Sequence, residues 1–419
     1  MTQEQFTNDA VELLKKLIAT PSVSRNEKDA ADIMEQTIRS YGFEPQREAN
    51  NIWVIDPYFD ESKPTLLLNA HIDTVKPVAS WTRDPFTPSI EKTIPLFNNG
   101  NNNNLPTENK SEETLYGLGS NDCGGGLCSL LQIFRLLTAR PQQYNLIYLA
   151  SAEEEVSGKD GISRTLPLLP HIDLAIVGEP TGMNPAVAEK GLMVLDVIAH
   201  GKSGHAARNE GVNAIYEALD DMRWIRDYKF EKVSEFLGPT KMTLTVVNAG
   251  TQHNVIPDKC TMLVDIRTNE FYDNEEVYHF ICQHLKSEVK AHSFRLKSSR
   301  IDPEHPLIKK CVAMGMKPFG SPTLSDQALM PFPSFKLGPG ESSRSHSADE
   351  FIRISEIADA IAKYKELLDG TAISELSSIH LLYYLLYLIY ITLQGLANIS
   401  ERNGDIVGIF LLSCSRRIF

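Results

Sequence analysis

Two residues near the end of an apolar, strand-like run have the types and the spacing of a metal ligand and its support. The run covers residues 66–75 and contains His71 and Asp73. Residues two apart in an extended chain point to the same face, so Asp73 can accept a hydrogen bond from one ring nitrogen of His71. The other ring nitrogen is then free to bind a metal ion. The alternative interpretation is a surface histidine and aspartate at a strand terminus.

More carboxylates follow two other strand-like runs. Glu153, Glu154 and Glu155 come directly after residues 145–151, and Glu179 follows residues 174–177. Adjacent carboxylates repel one another, and a bound cation relieves this repulsion. A solvated acidic turn is the alternative. Because sites in open α/β sheets are built at the carboxyl ends of strands, these acids are expected to lie near His71.

Asp122 and His346 stand in turn-rich segments. Residues 116–121 precede Asp122 and contain two glycines, so a tight backbone could hold this carboxylate between two ions. The segment resembles a G-x-G-x-x-G dinucleotide motif, but Asp122 occupies the third glycine position and would repel a pyrophosphate. His346 is isolated in sequence, and a lone histidine is more often structural than a ligand.

The elements that must position these residues alternate between strand and helix. Apolar spacing predicts helices over residues 10–17, 29–40, 126–137, 306–315 and 355–368. Strands are predicted over residues 51–56, 65–70, 145–151 and 174–177. This alternation predicts an α/β domain with a mostly parallel sheet flanked by helices.

A second domain is predicted to interrupt the first. Strands over 191–200, 241–248, 260–267 and 293–297, with helices over 211–227 and 275–289, give the order βαββαβ of a ferredoxin-like α+β unit. The predicted ranges are 1–185 and 300–372 for the first domain, 186–299 for the inserted domain, and 373–419 for an atypical hydrophobic tail.

Two segments fit neither domain. Residues 91–113 are rich in asparagine, which predicts a surface loop because such a composition buries little apolar area. Residues 376–400 contain no Asp, Glu, Lys or Arg and are long enough to cross a bilayer, for which roughly 20 apolar residues suffice. A membrane anchor, an accidental extension of the reading frame and a segment that docks on a partner remain open.

The composition excludes some partners and favours one compartment. The chain has 419 residues and a formal net charge of -13, and it has no cluster of lysine and arginine, which argues against a nucleic-acid partner. Its six cysteines are scattered without a C-x-x-C pair or a disulfide framework. Together with a polar, acidic amino terminus, this predicts a cytoplasmic protein with reduced thiols.

Taken together, the motifs resemble the family of two-zinc deacylases and exopeptidases that contains acetylornithine deacetylase, succinyl-diaminopimelate desuccinylase, aminoacylase and carboxypeptidase G. The resemblance covers residues 6–368 and is closest to acetylornithine deacetylase. Its motifs occur in the family's order, at residues 70–75, 117–122, 153–155, 178–180 and around His346.

The resemblance implies two zinc ions per subunit, which Co²⁺ could replace, and assigns a role to each acid. The implied ligands are His71, Asp122, Glu155, Glu179 and His346. Asp122 would bridge the ions, with His71 and Glu179 on one ion and Glu155 and His346 on the other. Glu154 would be the general base, and Asp73 would orient His71. Mixed nitrogen and oxygen ligands suit zinc.

The resemblance also implies residues outside the metal shell. It makes residues 1–185 and 300–372 the catalytic domain and residues 186–299 an inserted lid or dimerisation domain. His205 would stabilise the tetrahedral intermediate, reaching across from the partner subunit of a homodimer formed through this lid. Asn254, Arg267 and Ser325 would bind the substrate, with the Arg267 guanidinium on its α-carboxylate. The alternative for His205 is a turn histidine on the lid surface.

The predicted function is hydrolysis of an N-acyl amino acid, first of all N-acetylornithine in arginine biosynthesis. N-acetylcitrulline, N-succinylornithine, succinyl-diaminopimelate and an exopeptidase substrate stay open. Two departures from the family leave the substrate in doubt: Gly124 stands where many relatives have lysine, and Leu324 where desuccinylases usually have threonine. A membrane-tethered protein that keeps the fold without turnover is the alternative from a different class.

Overall fold

The structure is a computed structural model that describes residues 1–93, 112–208 and 210–373. Met1–Thr371 form one compact unit. Of the second unit, Ala372–Phe419, only the first two residues are described, so the predicted tail over 376–400 lies outside the described residues. Most of the predicted asparagine-rich loop, residues 94–111, lies outside them as well.

All seven predicted helices occur in the described chain, and most of their ends lie within a few residues of the predicted ones; the short helix Ile162–Thr165 was not predicted. They are α1 (Gln3–Ile18), α2 (Lys28–Ser40), α3 (Gly125–Leu137), α4 (Ile162–Thr165), α5 (Ala214–Asp227), α6 (Asn274–His284), α7 (Pro306–Ala313) and α8 (Ile354–Leu368). The largest difference is at α1, which begins seven residues before the predicted start at residue 10. The reason is a capping box: the Thr2 hydroxyl accepts from the Gln5 N–H, and the Gln5 side chain accepts from the Thr2 N–H.

The strands are more numerous than the apolar runs predicted. They are β1 (Gln46–Glu48), β2 (Asn51–Ile55), β3 (Thr65–His71), β4 (Ser89–Thr93), β5 (Glu112–Tyr116), β6 (Asn145–Ser151), β7 (Leu174–Val177), β8 (Ala186–Glu189), β9 (Met193–His200), β10 (Gly204–His205), β11 (Val233–Ser234), β12 (Gly238–Pro239), β13 (Lys241–Ala249), β14 (Val255–Ile256), β15 (Lys259–Arg267), β16 (Glu288–Ala291), β17 (Ser299–Arg300), β18 (Phe319–Ser321), β19 (Ser334–Lys336) and β20 (Phe351–Arg353).

The main sheet combines a parallel centre with largely antiparallel outer strands, and β18 pairs parallel with β8. Its order is β1-β2-β6-β3-β7-β19-β8-β17, with β18 beside β8. Strands β6, β3, β7 and β19 run parallel, whereas β1, β2, β8 and β17 pair antiparallel with their neighbours on this path. The predicted "mostly parallel" sheet is therefore a mixed sheet. The apolar runs predicted β2, β3, β6 and β7 of this sheet. The strands that were not predicted, β1, β8, β17, β18 and β19, have only two to four residues and carry too little pattern.

Both faces of the central strands are buried. Every residue of β3, β6 and β7 is buried. On one face Leu67, Ile147 and Ala175 pack with Ile162 of α4, and on the other α3 packs against β3 and β6. This burial of both faces fixes the register of the strands, and with it the positions of the residues at their ends.

The inserted segment has the predicted ferredoxin-like sheet order with one shifted strand. Strands β13, β15, β9 and β16 form an antiparallel sheet in that order, and α5 and α6 pack into its core. The predicted strand over 293–297 is wrong: the fourth strand is β16 at Glu288–Ala291, and α6 ends at His284 rather than at residue 289. The sequence signal of β16 is weak, because charged and apolar residues alternate over only four positions. The domain ranges 1–185, 186–299, 300–372 and 373–419 stay predictions.

A three-stranded sheet lies beside the main one. Strands β4 and β5 pair antiparallel, and β20 pairs with the other edge of β5. Residues 91–93 and 112–113, predicted as parts of the loop, thus belong to paired strands. Within the described ranges, no helix has the length and apolar character needed to span a bilayer.

Candidate metal centre

The candidate site lies at the carboxyl ends of three neighbouring parallel strands. Strand β3 ends at His71 and pairs with β6 on one side and β7 on the other. Glu154 and Glu155 follow β6, and Glu179 follows β7 by two residues. Parallel pairing therefore brings His71 together with acids that are distant in the sequence, and Glu179 is more than a hundred residues away. This convergence is what an open α/β sheet predicts.

Asp122 lies between the two groups of predicted ligands. Its Oδ1 is 3.3 Å from His71 Nε2, and its Oδ2 is 3.6 Å from His346 Nε2. The His71 nitrogen is also 3.5 Å from Glu179 Oε1, while the His346 nitrogen is 2.9 Å from Glu155 Oε2. The two oxygens of one carboxylate thus face two different sets of a histidine and a glutamate.

The backbone at two of these positions is unusual. Glu153, directly before Glu154, has φ 55°, and His346 has φ 58°. Residues other than glycine seldom adopt this left-handed conformation, and such residues are found preferentially at functional sites. The backbone strain supports a functional interpretation of the segments that carry Glu154 and His346.

Helix α3 and the segment that carries Glu179 touch through two glycines. A Cβ atom added to Gly126 would come within 1.7 Å of the carbonyl oxygen of Gly178. Only glycine permits this approach. It places the backbone of Glu179 against the helix that begins just after Asp122.

The electrostatics of the cluster favour a cation. Burial, together with repulsion by Asp122, raises the pKa of Glu179 to about 8. Burial also raises the pKa of Glu154 well above its usual value, although His71 opposes the shift. The hydrogen bond to Glu155 raises the pKa of His346 to about 9. Burial therefore makes the anionic forms of Glu154 and Glu179 unfavourable, and a bound cation offsets this cost.

The residues present fit divalent ions. One ligand atom from each of His71, Asp122 and Glu155 lies within 4.8 Å of the others. Glu179 Oε1 is buried and has no hydrogen-bond partner among the described residues. Two imidazoles and three carboxylates form the nitrogen and oxygen donor set that zinc prefers. Cys123 also lies beside His71 and Glu179, but burial raises the pKa of its thiol, so it stays protonated and is a poor ligand.

Asp73 supports the site in a different way from the prediction. The Nδ1 atom of His71 is 2.9 Å from the backbone carbonyl of Asp73, whereas the nearer carboxylate oxygen of Asp73 is 3.6 Å away. The carboxylate instead accepts the backbone N–H groups of Glu154 and Glu155, at 3.0 and 3.2 Å. Asp73 therefore orients His71 through its main chain and holds the acidic turn through its side chain.

Glu350 was not predicted from the sequence and holds the turn that carries Asp122. Its buried carboxylate accepts the backbone N–H groups of Gly119, Asn121 and Asp122, at 3.0, 2.8 and 2.8 Å. Burial raises the pKa of Glu350 to about 8. In the sequence Glu350 is only an acid four residues after His346 and directly before a short strand, and this signal is too weak to identify it as a site residue.

The other predicted site residues lie away from this cluster. His205 and Asn254 belong to the inserted segment, and the structure shows no contact between them and the metal-centre acids within the described chain. Arg267 pairs with Asp265 through two hydrogen bonds of 2.9 and 3.0 Å. The Ser325 hydroxyl donates to buried Glu189 at 2.7 Å. Their predicted roles in catalysis and substrate binding stay predictions.

A cavity of about 290 Å³ opens at the cluster. Asp122, Glu154, Glu155, Glu179 and His346 line one side of it. A second wall contains Phe319, residues 321–324 and Lys336. The cavity therefore offers room for a small substrate directly at the acids.

The chain is similar to known proteins over most of its length. A family model described as the M20 peptidase dimerisation domain matches residues 187–293. The chain is 26% identical over 401 residues to an acetylornithine deacetylase of Proteus mirabilis, covering 87% of this chain and 97% of that protein. It is 25% identical over 309 residues to a succinyl-diaminopimelate desuccinylase of Wolbachia pipientis, covering 70% and 73%.

Solved structures share the fold at lower identity. Aminopeptidase PepT from Bacillus cereus matches with a TM-score of 0.65 and 16% identity, covering 88% of this chain and 99% of that one. A dinuclear metal-binding M20 peptidase from Bacillus subtilis matches with a TM-score of 0.63 and 16% identity, covering 87% and 98%. The fold is that of M20 peptidases, a mixed sheet flanked by helices with a dimerisation domain.

Replacing Glu350 by glutamine is expected to weaken metal binding. The amide nitrogen cannot accept an N–H, so the turn that carries Asp122 loses part of its support. The affinity for Zn²⁺ should fall roughly tenfold to a hundredfold, as is typical when a group that orients a ligand is removed. Titration of the metal-free chain with Zn²⁺ measures this affinity.

The control is Glu113→Gln, which removes the charge of an exposed glutamate on β5. It should leave the affinity for Zn²⁺ at the wild-type value. A Glu350→Gln chain that binds Zn²⁺ as tightly as the control would contradict the supporting role of Glu350.

Proposed function

We propose that this chain, a metal-dependent hydrolase of linear amides with the M20 peptidase fold, releases an amino acid from its N-acyl derivative. The observation that supports this most is the position of Asp122, whose two oxygens face His71 with Glu179 and His346 with Glu155. N-acetylornithine is the first substrate to test, because acetylornithine deacetylases are among the relatives that span most of this chain. Hydrolysis of that compound would be a step of arginine biosynthesis.

The proposed metal shell uses five residues. His71, Asp122 and Glu179 would hold one zinc ion, and Asp122, Glu155 and His346 the other, with Co²⁺ as a substitute. Two such cations would supply Lewis-acid polarisation of the scissile carbonyl. The residues themselves fix where the carbonyl must lie, since Asp122, Glu155, Glu179 and His346 line one cavity.

Glu154 is the proposed general base. It lies 3.9 Å from His71 Nε2, lines the cavity and has no place in the proposed ligand set. Its carboxylate takes a proton from the attacking water and delivers it to the nitrogen of the leaving amine as the C–N bond breaks. The N–H groups held by Asp73 fix the turn that presents Glu154 to the cavity.

An exopeptidase is the second candidate function. Its support is structural: neighbours with TM-scores of 0.63 and 0.65 are a tripeptidase of Staphylococcus aureus and aminopeptidase PepT. A panel of acetyl and succinyl derivatives of ornithine, citrulline and diaminopimelate, together with di- and tripeptides, separates the two. The alternative of a membrane-tethered protein that keeps the fold without catalytic turnover is disfavoured, because all five proposed ligands and Glu154 are present together.

Replacing Glu154 by glutamine is expected to abolish most turnover without removing the metal. General acid–base groups contribute roughly 10²- to 10⁴-fold to rate, so kcat for the best N-acyl amino acid should fall by about that factor. Glu153→Gln is the matched control, because Glu153 does not line the cavity. Chelation should remove activity, and Zn²⁺ or Co²⁺ should restore it. Full turnover by Glu154→Gln, or by the metal-free chain, would contradict the mechanism.

A homodimer through the inserted segment is proposed as the active form. The M20 dimerisation model matches this segment. Helix α5 exposes Ile215, Tyr216 and Leu219, and β13 exposes Val246 and Val247. In the described chain β13 pairs on one side only, with β15, so its other edge is available to a second copy. His205 would then act on the site of the partner.

Mixing two inactive variants tests this arrangement. His205→Ala and Glu154→Gln each inactivate a homodimer, but a mixed dimer contains one site with Glu154 from one chain and His205 from the other. Activity should return to as much as half of the wild-type value. One control replaces Tyr216 by Glu in both chains, which should prevent dimer formation and so the recovery of activity. A second control, Leu168→Glu, changes an exposed leucine elsewhere and should leave both dimer formation and recovery intact. Absence of recovery in a verified mixed dimer would contradict the role of His205 across the interface.

A cytoplasmic location stays a prediction that rests on the scattered cysteines. Cys123, Cys128, Cys260, Cys282 and Cys311 are free in the structure.

A further inference from the structure

One wall of the cavity contains a buried lysine that the proposed mechanism does not use. Lys336 ends β19 between the buried residues Phe335 and Leu337, and its own side chain is 3% exposed. It lines the same cavity as the proposed metal ligands, and among the described residues that line this cavity no other lysine and no arginine occurs.

The ammonium group of Lys336 lies among oxygen atoms of neighbouring strands. Its Nζ is 3.0 Å from Glu189 Oε2, 3.0 Å from the backbone carbonyl of Thr323 and 3.3 Å from the hydroxyl oxygens of both Ser321 and Thr323. An ammonium has three N–H groups for these four acceptors, so the two longer hydroxyl contacts are the ones that an incoming acceptor can replace.

Glu189 does not depend on Lys336 alone. It also accepts the backbone N–H and the hydroxyl of Ser325, at 3.1 and 2.7 Å. A buried ion pair is weak evidence for stability, because removing two charges from water costs about as much as their attraction returns. Stability alone therefore does not explain a buried lysine at the wall of a reaction cavity.

The surroundings of Lys336 suit a carboxylate. The hydroxyl oxygens of Ser321 and Thr323 are 3.0 Å apart, and both hydroxyls can rotate to donate to a group that only accepts. Phe319, Pro322 and Leu324 line the same wall and suit a short methylene chain. Ammonium and hydroxyl donors beside apolar side chains match an aliphatic chain that ends in a carboxylate.

We infer that Lys336, Ser321 and Thr323 form a subsite for a carboxylate at the far end of the acyl group. This inference rests on the proposed function and names its substrate class: amino acids acylated with a dicarboxylic acid, such as N-succinyl derivatives, in preference to N-acetyl ones. The subsite belongs to the catalytic part of the chain, whereas the residues predicted to hold the α-carboxylate, Asn254 and Arg267, belong to the inserted segment. The acyl side of the substrate is therefore the side that faces Lys336.

The test compares two acyl groups of equal size. N-succinylornithine and N-succinamoylornithine differ only in a terminal carboxylate or amide, and N-acetylornithine reports on the reaction itself. The zinc-loaded wild-type chain should hydrolyse the succinyl compound with a kcat/KM roughly tenfold to a hundredfold above that of the succinamoyl compound, as expected for a charged hydrogen-bond partner. A ratio near one with measurable acetyl turnover would overturn the subsite and leave the proposed function intact.

Variants then assign the preference to Lys336. The double variant Lys336→Met with Glu189→Gln removes both charges of the buried pair, and it should bring the succinyl-to-succinamoyl ratio close to one. Lys317→Met, the same change at an exposed lysine outside the cavity, should keep the wild-type ratio. A ratio that persists in the double variant would overturn the assignment.

Two further arms keep the result decisive. If the double variant does not fold, Ser321→Ala with Thr323→Val retains the ion pair and should still lower the ratio severalfold; an unchanged ratio there overturns the subsite. Replacing the α-carboxylate of the substrate by an amide should leave the ratio unchanged, and a loss of preference would place Lys336 on the amino-acid side instead. Hydrolysis of none of the three compounds would overturn the proposed function and the subsite with it.

Discussion

Repulsion among carboxylates that the sheet holds together is the constraint on which the site depends. Glu154, Glu155 and Glu179 lie near His71 because parallel strands end at a common edge, and Asp122 reaches them from the turn before α3. Burial raises the pKa of Glu154 and of Glu179. The protein leaves Glu179 Oε1 without a hydrogen-bond partner among the described residues. Such an arrangement is costly for the chain alone and favourable with cations, which is why metal binding is central to the proposed chemistry.

The repulsion can persist only because backbone amides hold the acids in place. Asp73 accepts the N–H groups of Glu154 and Glu155, and Glu350 accepts three N–H groups of the turn at Asp122. These bonds connect distant parts of the chain: Glu350 is more than two hundred residues from Asp122. Hydrogen bonds within the chain itself thus position the ligands, which lowers the cost of ordering them on metal binding.

The sequence predicted the parts of the structure that follow from local patterns and motifs. Apolar runs located β3, β6 and β7, and the motifs brought out His71, Asp122, Glu155, Glu179 and His346, which the structure places together. The strands β1, β8, β17, β18 and β19 were missed and β16 was placed too late in the chain, because strands of two to four residues carry little periodicity. Glu350, Lys336 and the true contacts of Asp73 were beyond prediction, since each depends on tertiary approach between segments that nothing in the local sequence connects.

The central claim is that Asp122 joins two cation sites, and calorimetric titration of the metal-free chain with Zn²⁺ tests it most directly. The wild-type chain should bind two equivalents, and Glu179→Gln should weaken one of them while the other keeps its affinity. Asp122→Asn should weaken both, because each oxygen of Asp122 faces a different histidine. A wild-type chain that binds fewer than two equivalents, or an Asp122→Asn chain that loses only one, would contradict the account.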